Sequence, residues 1–301
     1  MVMTVGLSLP TMAVGATGAL LRAWCDGIDA GPFSSISTGE RVTFINPEMT
    51  VTLAAAAART ERVTIFGNLW VPMLHESAML AKQIATLDLV SNGRVVVALG
   101  VGGRPHDYTA AGMPFARRHE RLDEMVGELR ALWSGVPPFE GADPVGPTTT
   151  VAGGPPILSG AMGPKAIARA ANWADGISGF SLGDVGKESA TMNALATKAW
   201  ENAGRTTPPR LINGTFCVLG VPEPQAVLQK FATTYLGFFG DELASALAAG
   251  CRVSTEDALL EAISEAEEAG CEEFVIVPGT WDLGCLQAIT DVVASRAVAK
   301  G

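Results

Sequence analysis

Apolar positions along the chain keep two alternating periods. Short β-branched runs of strand length alternate with longer stretches in which apolar residues recur every three to four positions, the helical period. The short runs predict strands at Val2–Leu9, Phe33–Ser37, Val63–Leu69, Val95–Gly100, Pro156–Ser159, Gly176–Phe180, Leu211–Leu219 and Glu273–Val277. The longer stretches predict helices at Gly18–Asp26, Glu48–Ala58, Glu76–Val90, Arg118–Trp133, Lys165–Trp173, Gly186–Ala203 and Leu283–Ala297. Between the seventh and eighth strands, Thr255–Ala269 supplies another helix, with Ser254 or Thr255 as N-cap and Gly270 just past its end. Pro224–Ala248 is left over as a helical insertion. Strand and helix in strict alternation mean a parallel sheet, and eight strands are enough to close one. The expected fold is therefore α/β, a (β/α)₈ TIM barrel with insertions, in a single domain over residues 1–301.

One segment breaks the alternation. Residues 135–156, GVPPFEGADPVGPTTTVAGGPP, are rich in Pro, Gly and Thr and have no apolar period, so they read as a long surface connection. Long loops in compact domains often serve as lids or binding segments, and that role is the functional alternative here.

Composition narrows the function. With 48% apolar residues in 301, the chain can bury a large core. A net charge of −10 argues against a nucleic-acid or anionic-membrane surface, both of which need an excess of Lys and Arg. The start, MVMTVGLSLP, has no basic segment followed by a long apolar run, and no later stretch is apolar enough to span a bilayer. A cytoplasmic small-molecule enzyme is the expectation. Cys25, Cys217, Cys251, Cys271 and Cys285 are odd in number and scattered, so they read as reduced core residues and not as metal ligands.

The most informative block is AKQIATLDLVSNGRVVVALGVGGRPHDY, residues 81–108. A helix burying Leu80, Ile84 and Leu87 stops at Asn92–Gly93, a core strand follows, and Gly100, Gly102 and Gly103 form its exit. Glycines at a strand end let a flat ligand or another backbone come close. The dinucleotide fingerprint is absent, because Gly103 runs into Arg104–Pro105 instead of opening a helix. A second loop, Gly160–Ala161–Met162–Gly163 before Pro164, presents backbone N–H groups at a helix start, where an anion is stabilised.

Taken with LAAAAARTERVTIFGNLWVP (53–72), GVGGRPHDYTAAGMPF (100–115), RHERLDEMVGELRALWSG (118–135) and PILSGAMGPKAIARAANWADGI (156–177), these blocks resemble the luciferase-like flavin monooxygenase family, which includes F420-dependent oxidoreductases. The resemblance implies a barrel that holds its cofactor at the C-terminal strand ends, by way of Gly67, Asn68, Leu69, Gly100 and Gly102. A non-proline cis peptide is expected among Gly67, Asn68 and Leu69, under the ring system. Gly160, Ala161, Met162 and Gly163, with Ser178 and Gly179, would cradle the phosphate. Ser35 and Ser37, with Glu40, would face the substrate. Candidate catalytic groups are Asn68, His75, His106 and Asp107; Asp107 stands where the family more often has Glu and can equally order its loop. Arg118 and Glu124 match recurring family positions and read as a salt link, with His119 among charges that pair at helical spacing. Met12, Trp24, Trp70, Phe115, Phe180 and Phe239 are candidates for an apolar pocket.

The implied cofactor is reduced FMN reacting with O₂. F420-dependent hydride transfer is the alternative, and a non-catalytic flavin-binding barrel is a third reading. No metal is implied. Expected partners are a small organic substrate, a flavin or F420 reductase as supplier, and a second copy in a homodimer.

Overall fold

A computed structural model describes residues 3–300, with side chains to residue 296; Met1, Val2 and Gly301, at the ends of the expected domain, lie outside the described residues. Eight strands are present: β1 (Thr4–Ser8), β2 (Ser35–Thr38), β3 (Thr64–Trp70), β4 (Val95–Leu99), β5 (Ile157–Ser159), β6 (Gly176–Ser178), β7 (Arg210–Cys217) and β8 (Glu273–Pro278). They close in sequence order into one barrel, β1 pairing in parallel with β8 through Thr4↔Glu273 to Leu7↔Ile276. The helices are α1 (Gly18–Ala30), α2 (Met49–Arg59), α3 (Ser77–Val90), α4 (Pro105–Ala110), α5 (Arg118–Trp133), α6 (Pro164–Ala170), α7 (Val185–Asn202), α8 (Pro224–Leu236), α9 (Asp241–Gly250), α10 (Glu256–Glu268) and α11 (Leu283–Lys300). Among the described residues no helix is long and apolar enough to cross a membrane.

The strands read as nearly continuous apolar runs because both of their faces are buried. Val5, Leu7, Ile36, Ile65, Val97, Ile157, Phe274 and Ile276 join the helices in the outer core, while Phe66, Ala98, Leu158, Ile212 and Val275 fill the barrel. Below that apolar layer the barrel floor is polar. Glu273, 8% exposed, accepts hydrogen bonds from the hydroxyls of Ser34 and Ser35, both at 2.6 Å. A side chain at Gly6 would collide with this carboxylate and with Ser35.

Three features differ from the sequence reading. Pro105 starts a helix, α4, where only a strand exit is expected: its fixed φ and missing N–H suit a first helical turn. The insertion after β7 is not one helix but α8, a 3₁₀ turn at Gly237–Phe239, and α9, broken by Gly240 at φ +91°. The 135–156 loop runs from the end of α5 to the start of β5, which places it on the N-terminal rim, opposite the strand exits. There Asp88 accepts from the Thr150 N–H at 2.6 Å, Lys82 donates to the Gly146 carbonyl at 3.0 Å, and Arg130 donates to the Gly153 and Pro155 carbonyls. It is a largely exposed surface connection tied down at these points, not a lid over the mouth. At α10, Thr255 is the cap, accepting from the Ala258 N–H, and Gly270 follows the helix at φ +88°.

Candidate active site

The third strand organises the mouth. The Asn68–Leu69 peptide is cis. Asn68 points into the barrel, where the Ser178 hydroxyl of β6, on the far side, donates to its Oδ1 at 3.0 Å. The Leu69 side chain lies across the exits of β4 and β5: an added Cβ would fall 2.9 Å from it at Gly100 and 2.2 Å at Gly160. Gly67 is needed for a different neighbour, since a Cβ there would sit 1.9 Å from the buried Trp70 ring.

Next to this bed is a cavity of about 40 Å³ lined by Gly100, Val101, Ser159, Gly160 and Ala161 from the strand exits, with His119 and Asp123 from α5, Arg169 from α6 and Trp173 from the turn after α6. Asp123 is already engaged, pairing with Arg169 and accepting from the Trp173 indole N–H at 3.0 Å. Burial lowers the His119 pKa, and the charges of Arg118 and Arg169 lower it further. The Ile167 N–H donates to the Gly163 carbonyl and closes the first turn of α6, so the amides ahead of Ile167 precede its ladder and face no i−4 acceptor within the helix.

The loop after β2 forms the opposite wall. Glu40 bridges it to β3: its backbone N–H donates to the Leu69 carbonyl, its Oε2 accepts from the Val71 N–H at 2.7 Å, and its Oε1 meets His75 Nε2 at 2.6 Å. Burial disfavours the His75 imidazolium, but the hydrogen bond and charge of Glu40, with Glu48 beyond, outweigh it and raise the His75 pKa above the ordinary histidine value. Asp107 accepts from the Thr43 N–H and O–H at 2.8 and 2.6 Å, and these bonds with the nearby arginines hold its carboxyl below the usual range despite burial. Arg41 is buried with its guanidinium 3.7 Å from the Tyr235 ring centre and 4.7 Å from that of Phe44. Tyr235 belongs to α8, so the insertion roofs this side of the mouth.

The profile of the family described as luciferase-like monooxygenase matches residues 6–274. The chain belongs to the luciferase-like monooxygenase family. An uncharacterized protein of Mycobacterium tuberculosis is 40% identical over 84 residues, 28% of this chain and 30% of that protein. An F420-dependent glucose-6-phosphate dehydrogenase of Intrasporangium calvum is 36% identical over 88 residues, 27% of this chain and 26% of that enzyme. These matches span under a third of either relative's length. Among solved structures, monooxygenase RslO1 from Streptomyces bottropensis superposes with a TM-score of 0.79 at 21% identity, covering 98% of this chain and 100% of that one. An F420-dependent secondary alcohol dehydrogenase in complex with an F420-acetone adduct gives 0.76 at 18%, covering 97% and 99%. A type II Baeyer-Villiger monooxygenase from Pseudomonas putida in complex with FMN gives 0.70 at 16%, covering 98% and 99%. At these identities the structures share the fold.

Within this family member, the residues anticipated from sequence are distributed unevenly. Asn68, Leu69, Gly100, Gly160, Ala161 and Ser178 gather at the exits of β3 to β6. Met162 and Gly163 continue the β5–α6 turn, Met162 being 65% exposed and the Gly163 Cα surroundings open. Gly67 packs under Trp70 and Gly179 makes room for the Met192 sulfur, so close side-chain packing accounts for these two glycines, while Gly102, beside Val71, adopts φ +59°, which favours glycine. Ser35 is a correction. It stands at the N-terminal end of β2, bonded to Glu273 on the barrel floor, because the strand begins two residues and ends one residue later than the sequence reading set it. Ser37 is buried one register step below the exit, beside Ser8.

His106 is exposed on the first turn of α4, whereas His75 caps the C-terminal end of the 3₁₀ turn Pro72–Leu74. The Arg118–Glu124 salt link is also corrected: residues six apart on a helix face different ways, and Arg118 instead stacks on Phe115 at 3.9 Å. Arg117 pairs with Glu120, at 2.6 Å. Of the expected pocket residues, Trp24 and Trp70 are fully buried in the core and Phe239 is half exposed. Sequence reasoning missed Arg41 and the Glu40–His75 pair. Neither sits in a motif, and only the closure of β2 on β3 brings Glu40 to His75.

Proposed function

We propose that this protein is a luciferase-like oxidoreductase that holds a reduced flavin at the exits of β3 to β6 and uses it, with O₂, to oxygenate a small organic substrate. The observation that carries the reading is the bed that Asn68 and Leu69 make at the mouth, where Ser178 fixes the Asn68 carboxamide and Leu69 covers Gly100 and Gly160 beside the β5–α6 turn. The residues suit such a cofactor. Asn68 and Leu69 offer a half-buried bed for a planar ring, and the turn at 161–163 offers amides to a phosphate, with Asp123, the carboxylate lining the adjoining cavity, already neutralised by Arg169. When bound, reduced FMN supplies the electrons that activate O₂.

The chain's own part is orientation and exclusion of water. Leu69 closes the gap over Gly100 and Gly160, and Ser178 fixes the Asn68 carboxamide. Glu40 raises the His75 pKa, and the imidazole, at 19% side-chain exposure, can carry a proton between solvent and the β3 exit.

A second reading, F420-dependent hydride transfer, is favoured by the F420-dependent dehydrogenases among the relatives. Anaerobic titration of the purified chain with FMN, reduced FMN and F420, followed by fluorescence, separates the two. Tight binding of reduced FMN is expected, and tight binding of F420 alone would refute the flavin reading.

A further inference from the structure

The roofed side of the mouth holds more buried positive charge than its carboxylate balances. Arg41 is 9% exposed, and its Nη1 is buried without a hydrogen-bond partner. Arg104, whose side chain is 15% exposed, has a buried Nε that also makes no hydrogen bond, although Asp107 Oδ2 lies off its N–H direction at 3.2 Å. Asp107 is the carboxylate of this cluster, and its other oxygen is taken by the N–H and O–H of Thr43. Two guanidiniums thus share one largely committed carboxylate. Faces of Phe44, Tyr235 and Phe238 lie 4.7, 3.7 and 5.3 Å from Arg41, and Phe44 and Phe238 each lie 5.7 Å from Arg104. Aromatic faces offset part of the cost of burying a cation but do not accept its N–H groups in plane, and although Arg104 Nη2 donates to the Thr43 carbonyl at 2.9 Å, Arg41 Nη1 and Arg104 Nε stay unfilled.

The cluster stands at the mouth and not on an outer face. Gly39, two residues before Arg41, abuts the Asn68 carbonyl, and Gly103, next to Arg104, abuts Phe238. We propose that Arg41 and Arg104 form the substrate's anchor, binding a carboxylate carried on an apolar body that packs against Phe44 and Phe238. A guanidinium edge matches a carboxylate in charge and donor geometry. Neutral substrates would leave both unpartnered nitrogens buried. The inference rests on the reading that the mouth is the reaction site.

The test uses the full cofactor-free chain and calorimetric titration with three probes. Benzoate presents a carboxylate on a flat apolar body, benzamide is its neutral counterpart, and γ-glutamylglutamate mimics the anionic tail of F420. Benzoate is expected to bind at least about tenfold more tightly than benzamide or γ-glutamylglutamate. Arg41→Met and Arg104→Met should each weaken benzoate about tenfold or more, and Arg41→Met should leave the apoprotein's Tm unchanged or raise it, because a buried charge without a carboxylate partner of its own has gone. Equal binding of benzoate and benzamide overturns the proposal. So does binding of γ-glutamylglutamate without benzoate, which would assign the charge to a cofactor tail. A fall in Tm with Arg41→Met and unchanged benzoate affinity also overturns it, by making Arg41 a latch between loop and roof. If Arg41→Met does not fold, Arg104→Met and the probe comparison on the unaltered chain decide. Cofactor titration is a separate measurement: loss of flavin binding with benzoate binding retained would sink the proposed function and leave the anion site standing.

Discussion

Gly67→Ala tests how the mouth is built. In the folded protein the new methyl would lie 1.9, 2.4 and 2.5 Å from three carbons of the Trp70 six-membered ring. Normal carbon–carbon contact is about 3.5–4.0 Å, so the overlap is about an ångström or more at all three. Trp70 has little freedom to yield. It is fully buried, its carbonyl accepts from the Gly100 N–H at 3.0 Å, and its indole N–H donates to the Thr50 hydroxyl at 3.3 Å. Overpacking a well-filled core costs about 1–3 kcal/mol, and a rigid ring pinned at both ends puts this case near the top, at about 3 kcal/mol. At roughly 2–4 °C per kcal/mol for chains of comparable size, Tm should fall by about 6–12 °C. The assay is a thermal scan of wild type, Gly67→Ala, Trp70→Leu and the double variant. Trp70→Leu makes room for the methyl, so the cycle should show a favourable coupling of at least about 1 kcal/mol. Additive effects, or a Gly67→Ala variant within about 0.5 kcal/mol of wild type, would refute the reasoning.

Two further outcomes follow from the ionisable groups. Because the folded-state pKa of His75 is raised by its pairing with Glu40, the stability this pair contributes is fully present below the unfolded histidine pKa and is lost as pH rises through the folded value. Glu40→Gln should therefore destabilise by about 2 kcal/mol near pH 5.5 and by distinctly less near pH 9, measured by urea unfolding; a pH-independent loss would contradict the pairing. Burial pushes the thiols of Cys25 up to about 12 and of Cys251 and Cys285 to about 11, with Cys217 and Cys271 also raised. All five should react slowly with a thiol-specific disulfide reagent at pH 8 and together once urea unfolds the chain. Rapid labelling of the native protein would count against the packing around them.

The order of the eight strands was legible in the chain alone, because a parallel barrel buries both faces of every strand and so writes each as an apolar run of its own length. The helices between them carry the 3.6 period, and Thr255 and Gly270 mark α10 at both ends by local capping chemistry. The glycines at the β4 and β5 exits were also visible, but their purpose was not. Only the closed barrel shows that Gly100 and Gly160 yield space to Leu69, and Gly67 to Trp70. A one- or two-residue shift of β2 moved Ser35 from the mouth to the floor, since strand ends are set by pairing with neighbours and not by the run itself. The contacts that shape the site's charge join residues distant in sequence: Glu40 to His75, Ser178 to Asn68, Arg41 to Tyr235. Local periodicity specifies what each segment becomes, whereas these pairs exist only where the sheet's curvature brings strand exits together, and so the tertiary structure alone decided them.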